Sequence, residues 1–192
     1  MTNAPDIFGN VHKGIRKALF DLCVALGSAG EEKEQMREAR RRTREVLHFL
    51  RHHGDNEDTL LLPLLERRAP ECHARMARGH AFVAETIAAI EAVADEAPAA
   101  ALYHRACALT ALYLEHMREE EEDLRPAIED ALSAEELESF GRRSVERTSP
   151  PDQHMMLSYM LPAMTPRDAD IFLSKLPLHR ANQLRPRAKM PG

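Results

Sequence analysis

The stretches His53–Pro63, HGDNEDTLLLP, and His116–Pro126, HMREEEEDLRP, are two copies of one pattern. Each starts with His, carries Glu four residues on and a second acid directly after it, and places Leu at the eighth step and Pro at the tenth. From this chain's own residue frequencies, a match at any one histidine arises by chance on the order of once in ten thousand. Two matches call for a shared physical cause. Residues four apart on a helix stack on one face, so His53 with Glu57 and His116 with Glu120 each aim an imidazole and a carboxylate the same way. Phe49, Leu50, Leu60 and Leu61 flank the first pair, and Leu109, Leu112 and Tyr113 precede the second, so both pairs are expected inside. Unpartnered, these groups are costly to bury, and bound metal removes the cost. Hydrogen-bonded His–Glu pairs in an ordinary core explain one such pair adequately and two poorly.

The surrounding chain reads as helix. Of its 192 residues, 44% are hydrophobic and 30% charged, which suits one domain of roughly 150 residues with an extension. Aromatics make up only 5% and Trp is absent, so the residue types that favour strands are scarce. Amphipathic spacing predicts helices over about 6–28, 32–68, 71–95 and 98–132, joined by short connections that imply antiparallel neighbours. The expected fold is all-α, an up-down-up-down four-helix bundle. Ser133 with Glu136 reads as a capping box opening a shorter fifth helix to about Arg147. The run TSPPD, Thr148–Asp152, reads as a linker, which divides the chain into 1–147 and a short helical extension over 148–192. Short helices are expected over 153–160 and 166–176, the latter capped by Thr165, and fraying over RANQLRPRAKMPG. Met155, Met156, Met160 and Met164 are expected to pack this extension onto the bundle rather than to form a docking surface.

Several function classes drop out. No apolar run approaches the roughly 18 residues that cross a bilayer, and MTNAPDIFGN has neither a basic start nor an apolar signal core. Cys23, Cys72 and Cys107 are an odd, widely spaced set without a CxxC, which suits reduced thiols. We therefore expect a cytoplasmic protein without a membrane role. With a net charge of −5 the chain has no general attraction for nucleic acid, and the basic run REARRRTRE, Arg37–Glu45, reads as a solvated helix face.

Ten histidines are the unusual feature of the composition. Using a rise of ~1.5 Å per residue, His12 and His53 fall at similar depths on the first two helices, and Glu57, His80 and His116 agree within about a turn. The expected ligand set is thus His12, His53, Glu57, His80, His116 and Glu120. Four imidazoles and two carboxylates suit a pair of first-row metals, with iron ahead of manganese and zinc. They do not fill two six-coordinate ions, which leaves positions open for water or a small diatomic or peroxide ligand. A ferritin-like centre needs two Glu-x-x-His units, and only Glu45 with His48 has that spacing. His48, His52 and His104 are read as surface or outlying residues, and Glu119, Glu121 and Glu122 as a solvated acidic face.

Over about residues 7–132 the chain resembles the hemerythrin-like family, specifically its HHE cation-binding members. The likeness rests on HGDNEDTLLLPLLE and HMREEEEDLRPAIE, with single histidines in VHKGIR and RGHAFV. It implies a four-helix bundle around a non-haem di-iron centre: His12 and His53 on one iron, His80 and His116 on the other, Glu57 and Glu120 shared. Oxygen-carrying members place two histidines four apart on the third helix, whereas Met76 stands four before His80 here. His73 or Tyr113 would be the substitute ligand; otherwise one iron keeps more open positions. The resemblance therefore implies a cytoplasmic di-iron protein that binds or senses oxygen, peroxide or nitric oxide. The rival readings are an enzyme that decomposes peroxide or nitric oxide, and a metal-stabilised regulatory or partner-binding module.

Overall fold

A computed structural model describes residues 5–30 and 32–174, and among these the regular structure is helical throughout. The elements are α1 Gly9–Gly27, α2 Lys33–Leu60, α3 Leu62–Arg68, α4 Pro70–Glu91, α5 Ala99–Arg118, a π-helical segment Glu119–Leu124, α6 Arg125–Ala131, α7 Ala134–Arg147, α8 Pro150–Ala163 and α9 Pro166–Ser174. Helix α1 packs on α2, α5 and α8, while α4 packs on α2, α3 and α5. No described helix is long and apolar enough to cross a membrane.

Two expected helices are interrupted, each near the proline of the repeated pattern. Pro63 has no N–H to offer the carbonyl of Thr59, so the expected helix over 32–68 breaks at Leu61 into α2 and α3. Pro126 likewise leaves the Glu122 carbonyl without its helical donor. Here the chain widens instead, and Arg125 N–H bonds the Glu120 carbonyl five residues back. The span expected over 98–132 is therefore α5, a π turn and α6. Helix α4 stops at Glu91, short of the expected Asp95, and turns lead on to Pro98.

The TSPPD reading needs correction. Ser149 accepts the Asp152 N–H, and Pro150 and Pro151 form the first turn of α8 rather than a linker. The first turn of a helix has no use for those N–H groups, so proline starts a helix as readily as it stops one. The capping box at α7 is present as expected: Ser133 Oγ accepts from Glu136 N–H, and the Glu136 carboxylate accepts from Ser133 N–H at 2.9 Å. Thr165 Oγ1 accepts from Asp168 N–H at the start of α9. The end expected for that helix at Leu176, and the frayed run RANQLRPRAKMPG, lie outside the described residues.

The arginine-rich stretch of α2 is laced with acids, Arg41 to Glu38 and Glu45, Arg42 to Glu38, and Arg44 to Asp95. The apolar interior forms two clusters. One gathers Ile15, Leu19, Val46, Leu50, Val83, Ile87, Leu109 and Tyr113, and the other Phe8, Leu60, Leu61, Leu65, Met76, Leu124 and Ile128. Along each long helix the pattern's histidines fall between them: His12 follows Phe8 and precedes Ile15, His53 lies between Leu50 and Leu60, His80 between Met76 and Val83, and His116 between Tyr113 and Leu124. A polar layer thus splits the core.

Helix α8 closes the first cluster. Leu157, Met160 and Met164 are buried in it and Met155 and Met156 pack at its edge, as expected of the methionines. The approach to α1 is close enough to require Gly14, where an added Cβ would stand 2.5 Å from Met160 Cγ and 3.0 Å from Met160 Cα. Elsewhere in a helix Gly→Ala stabilises by about 1 kcal/mol. Gly14→Ala should reverse that sign and destabilise by about 1–3 kcal/mol, because one of the opposing atoms is backbone and cannot swing aside. Chemical denaturation of the two proteins checks it; a variant as stable as the parent would mean α8 does not sit on α1.

Candidate metal centre

All six expected residues meet in the polar layer, supplied by α1, α2, α4, α5 and the π segment. His12 and Glu120 are 0% exposed and Glu57 1%, with His53, His80 and His116 also buried. The donors form two groups, His12, His53, Glu57 and Glu120 in one and His80, His116 and Glu120 in the other, each with its donor atoms within 4.8 Å of one another. Donors held ~2.0–2.2 Å from one ion stand roughly 3–4 Å apart, so both groups have the span of a metal site.

The two halves are built alike. The rings of His12 and His53 meet edge-on with centroids 5.1 Å apart, and so do those of His80 and His116. His12 Nε2 lies 3.2 Å from His53 Nε2. Glu120 faces both halves, with Oε2 3.4 Å from His12 Nε2 and Oε1 3.2 Å from the Nε2 of both His80 and His116. Glu57 Oε2 stands 3.4 Å from His53 Nε2 and the same distance from His80 Nε2.

The π turn carries both acids of the second copy. Glu120 lies on the inner side, and its neighbour Glu121 turns toward α1, where His12 Nδ1–H donates to Glu121 Oε1 at 2.7 Å. Arg16, one turn along α1, grips the same carboxylate with both guanidinium nitrogens at 2.9 and 2.8 Å. The matching acid of the first copy does the same work: His80 Nδ1–H donates to Asp58 Oδ1 at 2.5 Å. An ionised carboxylate only accepts, so these contacts fix the proton on Nδ1 and direct Nε2 inward.

Glu121 therefore does not belong with the solvated acidic face where its sequence neighbours placed it. Glu119 pairs with Arg75 and Glu122 with Arg118, as a solvated face requires, whereas the half-buried Glu121 bonds the buried His12. The roles of Asp58 and Glu121 went unread in the sequence. Their signal was the second acid of the pattern, whose recurrence was visible but whose target lies on another helix.

The remaining candidates stand apart. His73 is in neither donor group, while Tyr113 packs edge-on against His116 with centroids 5.6 Å apart. His48 and His52 bind the junction of α7 and α8, reaching Asp152 and Thr148 at 2.8 Å, and His104 is exposed. Beside the second group a cleft of ≈ 50 Å³ is bordered by Gly54, Asp55, Asp58, Tyr113, His80 and His116.

The electrostatics are those of a cation site. Both oxygens of Glu57 and Oε2 of Glu120 are buried without a hydrogen-bond partner. Burial and the charge of Glu120 raise the Glu57 carboxyl to about 7. Burial lowers His53 and His116, whereas at His80 burial is outweighed by hydrogen bonds to Asp58 and Glu120 and by the nearby Glu57 carboxylate, which raise it to about 12. For Glu120 the same contest against burial is won by the His80 hydrogen bond and the neighbouring imidazoles, and its carboxyl is lowered. A proton on His80 thus balances one carboxylate, and Glu57 is left over. Orphaned carboxylate oxygens amid inward-facing imidazole nitrogens fit a metal with mixed nitrogen and oxygen preference.

A helical protein with a buried histidine–glutamate cation site is the class that this fold and geometry define. The Hemerythrin HHE cation binding domain profile matches residues 3–128, and the chain belongs to that family. No curated protein and no solved structure matches the chain.

Glu57 provides a test of the site's cost. Without metal its folded-state pKa is about 7 against an ordinary 4.5, so the folded chain holds the extra proton between those values and loses stability as pH rises through that window. The loss is of order 3 kcal/mol at most. Metal-free Glu57→Gln should then be more stable than the metal-free parent at pH 8, by about 2 kcal/mol, and should lack this slope below neutrality. With metal added the order should invert. Thermal melts at pH 5 and 8, with and without metal, read both signs.

Proposed function

We propose that the chain is a non-haem di-iron protein in which α1, α2, α4 and α5 form an up-down-up-down four-helix bundle. Its iron pair binds or senses oxygen, peroxide or nitric oxide, in a cytoplasmic setting that suits its three free cysteines. The observation that carries this reading is Glu120, which is completely buried and turns one oxygen to each histidine pair. A carboxylate so placed has His80 as its hydrogen-bonded partner on one side only, and a cation on each side would complete it. His12 and His53 with Glu57 would hold one ion and His80 with His116 the other, Glu120 serving both and Glu57 reaching toward the second.

Bound iron supplies open coordination positions and a reversible change of oxidation state, which is the chemistry that small oxygen or nitrogen-oxide ligands require. The protein's own part is positioning and exclusion. Asp58 and Glu121 hold two imidazoles with Nε2 inward, and the apolar clusters above and below keep bulk water from the layer. The second group is the one beside the cleft. A small molecule therefore meets the His80–His116 half first. That exposure also favours, as a second reading, turnover of peroxide or nitric oxide in place of simple binding.

The full chain loaded anaerobically with ferrous iron should hold two ions and develop near-ultraviolet charge-transfer absorption on oxidation. Glu120→Ala should abolish the signal of the coupled pair rather than halve it. Metal content and electronic spectra decide the matter: a parent that retains no iron sinks the proposal, and a variant keeping half the pair signal sinks the shared role of Glu120. Oxygen evolution from peroxide faster than by free iron would select the second reading.

A further inference from the structure

We propose that the two metal positions exchange unequally: the ion at His12 and His53 is locked in, while the ion at His80 and His116 enters and leaves through the cleft beside Asp55 and Asp58. Asp58 is the positioning residue that sets the second ion's lifetime. This rests on the metal-pair reading above and concerns a difference between the halves that their shared pattern conceals.

Two observations separate them. The first is how the outer carboxylates are themselves held. Glu121 is 26% exposed and carries two bonds from Arg16, so it stays fixed whether or not an ion is bound. Asp58 is 48% exposed and, among the described residues, is held by His80 alone. The same tilt of the ring that frees a donor therefore meets resistance at His12 and little at His80.

The second is the way in. The cleft reaches His80 and His116 and is lined by two exposed carboxylates, Asp55 and Asp58, and by Arg51, whose charge is paired with both oxygens of Glu91. The net field at that entrance favours a cation. Gly54 forms part of the wall, and a Cβ there meets nothing within 4 Å. A side chain can therefore start there without a clash at Cβ, and in mid-helix it gains propensity over glycine.

The test follows release of iron. The full chain, loaded anaerobically with two ferrous ions, is mixed with excess of a chromogenic ferrous chelator. The parent should release iron in two phases of similar amplitude. Asp58→Asn should speed the fast phase by about 10–100-fold and leave the slow phase alone, the range in which loss of an outer hydrogen-bond partner usually falls. Glu121→Gln should speed the slow phase instead. Gly54→Leu should slow the fast phase several-fold with its thermal stability unimpaired, and Asp58→Asn should alter one of the two Mössbauer signals of the loaded protein. A purely structural role for Asp58 would move both phases together. Single-phase release from the parent, equal effects of Asp58→Asn on both phases, or a Gly54→Leu variant that releases as the parent does would each overturn this inference while the metal pair stands. A parent that never holds two ions overturns the reading beneath it.

Discussion

Two glutamate carboxylates sit in the middle of a helical core, and most of the structure is arranged around keeping them there. Glu57 and Glu120 lie among four imidazoles in a layer that separates one apolar cluster from another. Both are out of reach of bulk water, and their internal compensation comes from His80, itself paired with Asp58, and from the neighbouring imidazoles. Charge buried this way is tolerated when something of opposite sign completes it. The packing on either side supplies the stability that the layer consumes, and the layer gains its purpose from a cation.

That constraint reaches into backbone geometry. The pattern on each helix must aim a glutamate inward and send the next residue sideways to a histidine on a neighbouring helix. A continuous α-helix turns consecutive residues about 100° apart, so one of the two would ordinarily face away. In the second copy the π turn before Pro126 widens the helix and lets Glu120 and Glu121 both face inward. In the first copy the helix stays regular through Glu57 and breaks only at Leu61, and Asp58 remains at the surface, where it meets the more peripheral edge of His80. The two local solutions go with different exposure of the outer acids, Glu121 being the more covered and Asp58 the more open.

The closing of the core by α8 belongs to the same economy. A bundle whose centre is polar has less apolar area to bury, and α8 adds Leu157, Met160 and Met164 to the first cluster by approaching α1 at Gly14. On the other side α3, α6 and α7 fold over the second cluster, contributing Leu65, Ile128, Leu137 and Phe140. The prolines that interrupt the long helices are thus also what turns the chain back over the layer.

The recurrence of His, Glu, acid, Leu and Pro was readable from residues alone, because helical periodicity is a local property: His53 with Glu57 and His116 with Glu120 share a face wherever the helix lies. Depth along the helices brought His12 and His80 to the same level for a similar reason, the rise per residue being constant. The capping box at Ser133 was equally local. What the chain alone left undecided was whatever depended on a partner distant in sequence. Whether Pro63 and Pro150 end a helix, bend one or begin one depends on how the freed carbonyls and the next turn are packed. Glu121 looked like a solvated acid and Asp58 carried no reading because their imidazoles lie on other helices, and only the tertiary structure set which carboxylate is clamped by Arg16 and which stands beside an open cleft, since clamping and access are both relations between elements.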